Sequence, residues 1–485
     1  MIPSQHTGEI GFTESERYLA SLCERTFLSL WSHPNVFRAR NKELADLLVV
    51  FGDDVVVFSD KSCEYKDGEQ AWARWYRRAI LRSANQLRRA AGWIRSRPNE
   101  IYMDVLCERR FPLRFPTNAR VHLVAVATGA RDASMRQLKG DGSLGIASDS
   151  DGTQPFFVGD LDPASDFIHV FDNISLDTVL RELDTVSDFV RYLGRRAAFF
   201  RAGRTIVAER ELDLLAHYLT QVDDASGHDF IVAESKRDAT TLVFAGDWDP
   251  FARSAPYTQK KIADEPSYLW DRIITILAGH ADAGTLAFGQ ERGLAGVEAN
   301  LRILASENRF LRRMLSRSII EVRREAAIGE ENFRVRTVLS PQRPDLAYLF
   351  VGARNDGADE VTHRKFRQSM MHAHMMITKL RRNEVQQAVG IAFAAEGESD
   401  ETVDLAVMDL TQWTADDNAR SEQLCVGLGW TRDTSKIETH ETFYEYPTSP
   451  VPSTQVFRPH RRQSDEKDKK KKRRAQRDAR KRSRG

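Results

Sequence analysis

The chain has 485 residues, with 71 Lys and Arg against 70 Asp and Glu, a formal charge of +1. The near-balance conceals an asymmetry: residues 458–485 hold 15 basic and 4 acidic residues, and the 457 before them sum to −10. This length argues for two or three domains. No apolar run of about 18 residues is present to span a bilayer, and no membrane partner is expected. The stretch MIPSQHTGEIGFTESERYL lacks the basic-then-apolar layout of a signal peptide, so a cytoplasmic location is expected. Cys23, Cys63, Cys107 and Cys425 have no CxxC spacing, which argues for buried, reduced thiols over zinc or redox work.

In chain order, residues 15–31 place Tyr18, Leu19, Leu22, Cys23, Phe27, Leu30 and Trp31 at helical spacing, and His33-Pro34-Asn35 reads as a stop. Two Val- and Leu-rich strands follow at 43–51 and 54–60, joined at Gly52-Asp53-Asp54. Their scant alternation predicts strands covered on both faces. A long helix over 71–97 turns Tyr76, Ile80, Ser83, Leu87, Ala91 and Ile94 inward. It carries eight arginines (Arg74, Arg77, Arg78, Arg82, Arg88, Arg89, Arg95 and Arg97) and no acid. A strand at 120–130, a polar loop at 135–155, further strand material to 172 and a helical pair at 175–200 complete a first unit, 1–202. Residues 203–333 read as a mainly helical middle region, and 334–447 as a small α/β domain. Residues 448–485 are a Pro/Ser linker and a basic tail too poor in apolar surface to fold, expected to be disordered. The class expected overall is mixed α/β.

Charged residues crowd the ends of the first two strands: Glu43, Asp46, Asp60 and Lys61. A divalent ion that promotes phosphodiester hydrolysis needs hard oxygen ligands, usually two carboxylates. It also needs a cation to orient the attacking water or to stabilise charge at phosphorus. Residues two apart on a strand share a face, so an acid-x-Lys strand beside an Asp-bearing strand converges on one phosphate. The ordinary alternative is turn chemistry around Gly-Asp-Asp.

The order helix, Glu-x-x-Asp strand, turn, strand ending in x-x-Lys, Gln-bearing helix, strand resembles the core of the PD-(D/E)xK nuclease superfamily over about residues 13–130, reaching toward 200. The resemblance implies a restriction-endonuclease-like αβββαβ core with Mg²⁺ or Mn²⁺ as cofactor. Asp46 matches the first metal ligand, Lys61 the family lysine and Gln86 a supporting polar residue. The pattern departs at one position, because Ser59 stands where the acid belongs. A β-bulge turning Asp60 inward, or Glu43 or Glu64, are the candidate replacements. The implied activity is hydrolysis of DNA in genome defence or repair, with Asp46, Asp60 and Glu43 on the metal. The alternative is a non-catalytic nucleic-acid-binding or scaffold protein that retains the fold.

Nucleic acid, DNA before RNA, is the expected partner. Arg74, Arg78, Arg82, Gln86 and Arg89 on the long helix, with Lys470, Lys471 and Arg473 in the tail, would hold phosphates without reading sequence. The opposing reading pairs the helix arginines with acids of the DLDP or ELDT segments. GVEANLRILASENRFLRRM offers either helix pairing in a homo-oligomer or packing within its own domain. His372 and His374 lie on nearly opposite faces of a helix, so these and His363 read as core and surface residues, not metal ligands.

Overall fold

The Val- and Leu-rich runs near the start of the chain meet in a five-stranded sheet. The computed structural model describes residues 14–223, 227–282, 294–398, 402–429 and 444–447. Helix α1 (Glu14–Trp31) leads into β1 (Ser32–Ala39), β2 (Lys42–Phe51) and β3 (Asp54–Ser62). Helix α2 runs from Ala71–Tyr76 through a π turn at Arg77–Leu81 into Arg82–Ser96, and β4 (Arg120–Thr128) follows. The order is therefore α-β-β-β-α-β. The strands β1, β2 and β3 pair antiparallel, whereas β3, β4 and a fifth strand, Ile168–Phe171, pair in parallel. Successive side chains of β3 reach opposite layers, Ser59 touching α2 and Asp60 touching α1. This two-sided cover is why the strand sequences scarcely alternate.

The helix stops where expected, at Trp31, and His33-Pro34-Asn35 also lies at the start of β1, a strand the sequence reading did not contain. Pro34 has no N–H to give a ladder, and β1 lies at the sheet edge, where that lack is tolerated. The outer side of β1 is met by Tyr102, which exchanges two 2.8 Å backbone hydrogen bonds with Phe37. Such cover removes an open edge.

The loop expected at 135–155 is more ordered than its polarity suggests, with a helix at Arg131–Leu138 and a strand at Gly145–Ala147. That strand and Phe157–Val158 form a second sheet with Thr205–Ala208 and Thr241–Phe244, across the division expected at 202. The longer helices beyond this sheet include Tyr268–Asp282, Leu294–Ala305 and Arg309–Ile328. Three arginines at the start of Arg309–Ile328 are interior. Arg309 bonds Asp184 at 2.7 Å and Asp271 at 2.9 Å, Arg312 bonds Asp271 at 2.5 Å, and Arg313 bonds Asp264 at 3.1 Å. The helix thus packs within its own chain.

A third sheet takes the strands Phe333–Leu339, Leu346–Ala353, Gln387–Ala394 and Val403–Asp409 in that order. Helix Glu360–Arg381 makes the crossover between the two parallel central strands. Arg364, Arg367 and Gln368 all bond Asp404 on the last strand. His363 and His374 are buried and His372 half-buried, and burial pushes His374 down to about 3. The segment Tyr444–Pro447 returns to the middle region. Arg313 donates to the Tyr444 carbonyl at 2.8 Å and to the Glu445 carbonyl at 3.2 Å. The Glu445 carboxylate lies 2.9 Å from His228 and 3.5 Å from Lys260; against its burial, these cations hold its pKa down to about 2.

Among the described residues no helix is long and apolar enough to cross a membrane. All four cysteines are free thiols, and only Cys23 is buried, the others being half-buried.

Candidate functional site

The pairing of β2 with β3 runs from Phe51↔Asp54 to Leu47↔Phe58. One residue further, the Asp46 carboxylate takes over the role of a ladder partner, its Oδ2 accepting the Asp60 backbone N–H at 2.5 Å. The same oxygen is 3.4 Å from Lys61 Nζ, and Oδ1 accepts from Gln86 Nε2 at 3.4 Å. Asp46, Lys61 and Gln86 therefore come together as expected. The Asp46 side chain is almost fully enclosed, while Lys61 remains about a third exposed.

The acid position behaves differently from one of the expected remedies. Strand β3 pairs with β4 in unbroken register from Asp54↔Arg120 to Ser62↔Thr128, so no bulge turns Asp60 over. Ser59 occupies the α2 side, its Oγ 3.0 Å from Ser83 Oγ and 3.3 Å from Gln86 Oε1. Asp60 points to the α1 side, where it accepts a hydrogen bond from Ser15 Oγ. Its other oxygen, Oδ1, is buried without a hydrogen-bond partner. Glu64 is turned away, exposed and 3.6 Å from Lys66.

Glu43 is the second residue of β2, and Glu16 lies in the first turn of α1. Burial, then Asp46 and Glu16, push Glu43 up to about 7, although its side chain still reaches solvent. Burial also raises Asp46, opposed by Lys61 and the Asp60 amide and reinforced by Glu16. Asp60 is raised by burial and by Asp46 and Glu16, with the Ser15 hydroxyl acting the other way. Four carboxylates thus act on one another around a single lysine. Ser15 and Glu16 escaped the sequence reading because acids in a first helical turn ordinarily serve the helix dipole. Their proximity to Asp60 is set by packing, 45 positions along the chain.

Mg²⁺ or Mn²⁺ fits the chemistry of this donor set: oxygen ligands, surplus negative charge and an orphaned carboxylate oxygen on Asp60. Among the described residues, no group of three or more His, Cys, Asp or Glu side chains is placed to hold a metal ion.

The arginines of α2 divide into two sets. Toward the C-terminal end, Arg88 is 3.7 Å from Asp162, Arg95 2.6 Å from Asp166 and Arg97 3.6 Å from Glu100. The DLDP segment thus does neutralise part of the helix. Arg74, Arg77, Arg78, Arg82 and Arg89 are exposed and make no ion pair among the described residues. Lys470, Lys471 and Arg473 lie outside the described residues.

No protein-family model, curated protein or solved structure matches this chain.

Proposed function

We propose that the chain is a metal-dependent phosphodiesterase acting on nucleic acid, DNA before RNA, of the PD-(D/E)xK type. The observation that carries this reading is the Asp46 carboxylate, held between two strands by Lys61, Gln86 and the Asp60 amide among three further acids. Asp46, with Glu43 or with Asp60 reached from the α1 side, would hold the ion. When bound, a divalent ion supplies charge neutralisation at the phosphoryl oxygens and a more acidic water. Lys61 offers an ammonium, partly open to solvent, to a phosphate oxygen or the attacking water. Gln86 ties Asp46 and Ser59 together and fixes the carboxylate's orientation.

The second reading is a nucleic-acid-binding or scaffold protein that has lost the chemistry. It is favoured by Ser59, which fills the acid position and is sealed by Ser83 and Gln86. Cleavage of plasmid and linear DNA with Mg²⁺ or Mn²⁺ separates the two. Wild-type cleavage lost in both Asp46→Ala and Lys61→Ala, with the fold retained, is the outcome expected here. No cleavage with either ion, together with intact DNA binding, would assign the second reading.

A further inference from the structure

We propose that α2 presents a straight row of cations that grips consecutive phosphates of one nucleic-acid strand, on a single side of the scissile bond. The inference rests on the phosphodiesterase reading of the Asp46 site and adds to it how the substrate lies.

The row begins in the helix geometry. Ala73/Arg74, Arg77/Arg78 and Leu81/Arg82 are exposed pairs recurring every four residues, and exposed Asn85 with half-buried Gln86 continues them. In an ordinary α-helix a four-residue step overshoots a full turn by about 40°, so such a stripe would wind about 120° around the helix between Arg74 and Gln86. Here one turn is widened: the Arg82 N–H bonds the Arg77 carbonyl five residues back, across the π turn Arg77–Leu81. A π turn accommodates an additional residue, and such turns recur at functional sites. It absorbs the drift and keeps Arg74, Arg78, Arg82 and Gln86 on one flank, at steps of about 6 Å along the axis.

That flank ends at the candidate site, because Gln86 donates to Asp46. Its other end passes the chain beyond Lys61, where the Trp75 indole donates to the Cys63 carbonyl at 2.8 Å. Arg74 spends one guanidinium nitrogen on the Glu69 carbonyl, and Arg78 and Arg82 make no ion pair among the described residues. Past Gln86 the pattern reverses, since Arg88, Arg95 and Arg97 are answered by Asp162, Asp166 and Glu100, leaving Arg89 as the exception. Unanswered charge therefore extends mainly from Asp46 toward Arg74. A ligand that fits a one-sided file of cations, each one helical step apart, is a run of phosphodiesters on one strand, held by charge without base readout.

The test measures binding of fluorescent oligonucleotides to the full-length protein by anisotropy, in EDTA, over a range of salt. Each of Arg74→Gln, Arg78→Gln and Arg82→Gln should lower the slope of log K against log salt by about 0.7–0.9, and Arg95→Gln, already paired, should leave it unchanged. Wild-type slopes in all three row variants would overturn the proposal, as would an equal loss in Arg95→Gln. Cleavage with Mg²⁺ is followed in parallel. Slopes that fall without any wild-type cleavage uphold the row and sink the phosphodiesterase reading; cleavage with unaltered slopes does the reverse. Where cleavage occurs, trimming the substrate to fewer than three phosphates should slow it on one side of the bond only. Equal sensitivity on both sides would remove the one-sided grip.

Discussion

Two arginine-rich helices in this protein put the same side chain to opposite uses. In Arg309–Ile328, the residues Arg309, Arg312 and Arg313 are interior, answered by Asp184, Asp271 and Asp264. In the first half of α2 the arginines face solvent with no carboxylate beside them, close to a sheet end crowded with acids that repel one another. One region cancels its charges and the other keeps them apart. The lesson is that an arginine count carries no function by itself. What matters is where the matching acids stand, and in the middle region they lie 38 to 125 positions away in sequence.

If the contrast is right, removing a charge should cost stability in the first region and not in the second. The largest effect is expected at Arg309→Ala, which leaves Asp184 and Asp271 short of a buried cation and should cost about 3–5 kcal/mol in urea unfolding. A loss under 1 kcal/mol would break the comparison. Next comes relief of the acidic sheet end by Mg²⁺ or Mn²⁺. At a hundredfold excess over Kd the gain is about 2.7 kcal/mol, read as a rise in Tm that Asp46→Asn should abolish. An identical rise in the variant would place the ion elsewhere.

Glu43→Gln should stabilise the protein, and pH should show why. The folded state holds the Glu43 proton up to about 7, against an ordinary value of 4.5. Its contribution to stability is therefore greatest below about 4.5 and falls as pH rises through about 7. The glutamine variant should match wild type at pH 4 and exceed it at pH 8 by on the order of 1 kcal/mol, after allowance for solvent screening. A gain that does not depend on pH would mean the carboxylate is not the cause. The smallest effect is expected at Arg82→Ala, within about 0.5 kcal/mol in either direction.

Much of the architecture was legible because it is written locally. Gly52, at φ 58°, turns β2 into β3 where the sequence interrupts two apolar runs with Gly-Asp-Asp. The inward stripe of α2 from Tyr76 to Ile94 is buried as its spacing requires. At the candidate site, Asp46, Lys61 and Gln86 could be read because a hairpin and one crossover helix bring them together. What was not legible depends on contacts that no short window contains. Strand β1 hid behind Pro34, whose meaning changes at a sheet edge. Asp60 could face either layer until the unbroken pairing with β4 decided it. Ser15 and Glu16 reach the site only through the packing of α1. The π turn has no motif, and the interior arginines of 309–313 look like any charged helix until their acids are found.

Arg313 has a consequence for how the chain is assembled. The guanidinium sits near the beginning of the helix that leads into the third sheet, and it also holds the Tyr444 and Glu445 carbonyls on the way out. Entry into the C-terminal unit and departure from it thus meet at one side chain. The unit is not separable for that, because its sheet shares a core with the middle region: Trp270 packs edge-on against Tyr348 and Phe350, and the Tyr348 hydroxyl donates to Glu307 at 2.7 Å. Cutting at Arg313 would therefore open the core as well as the chain.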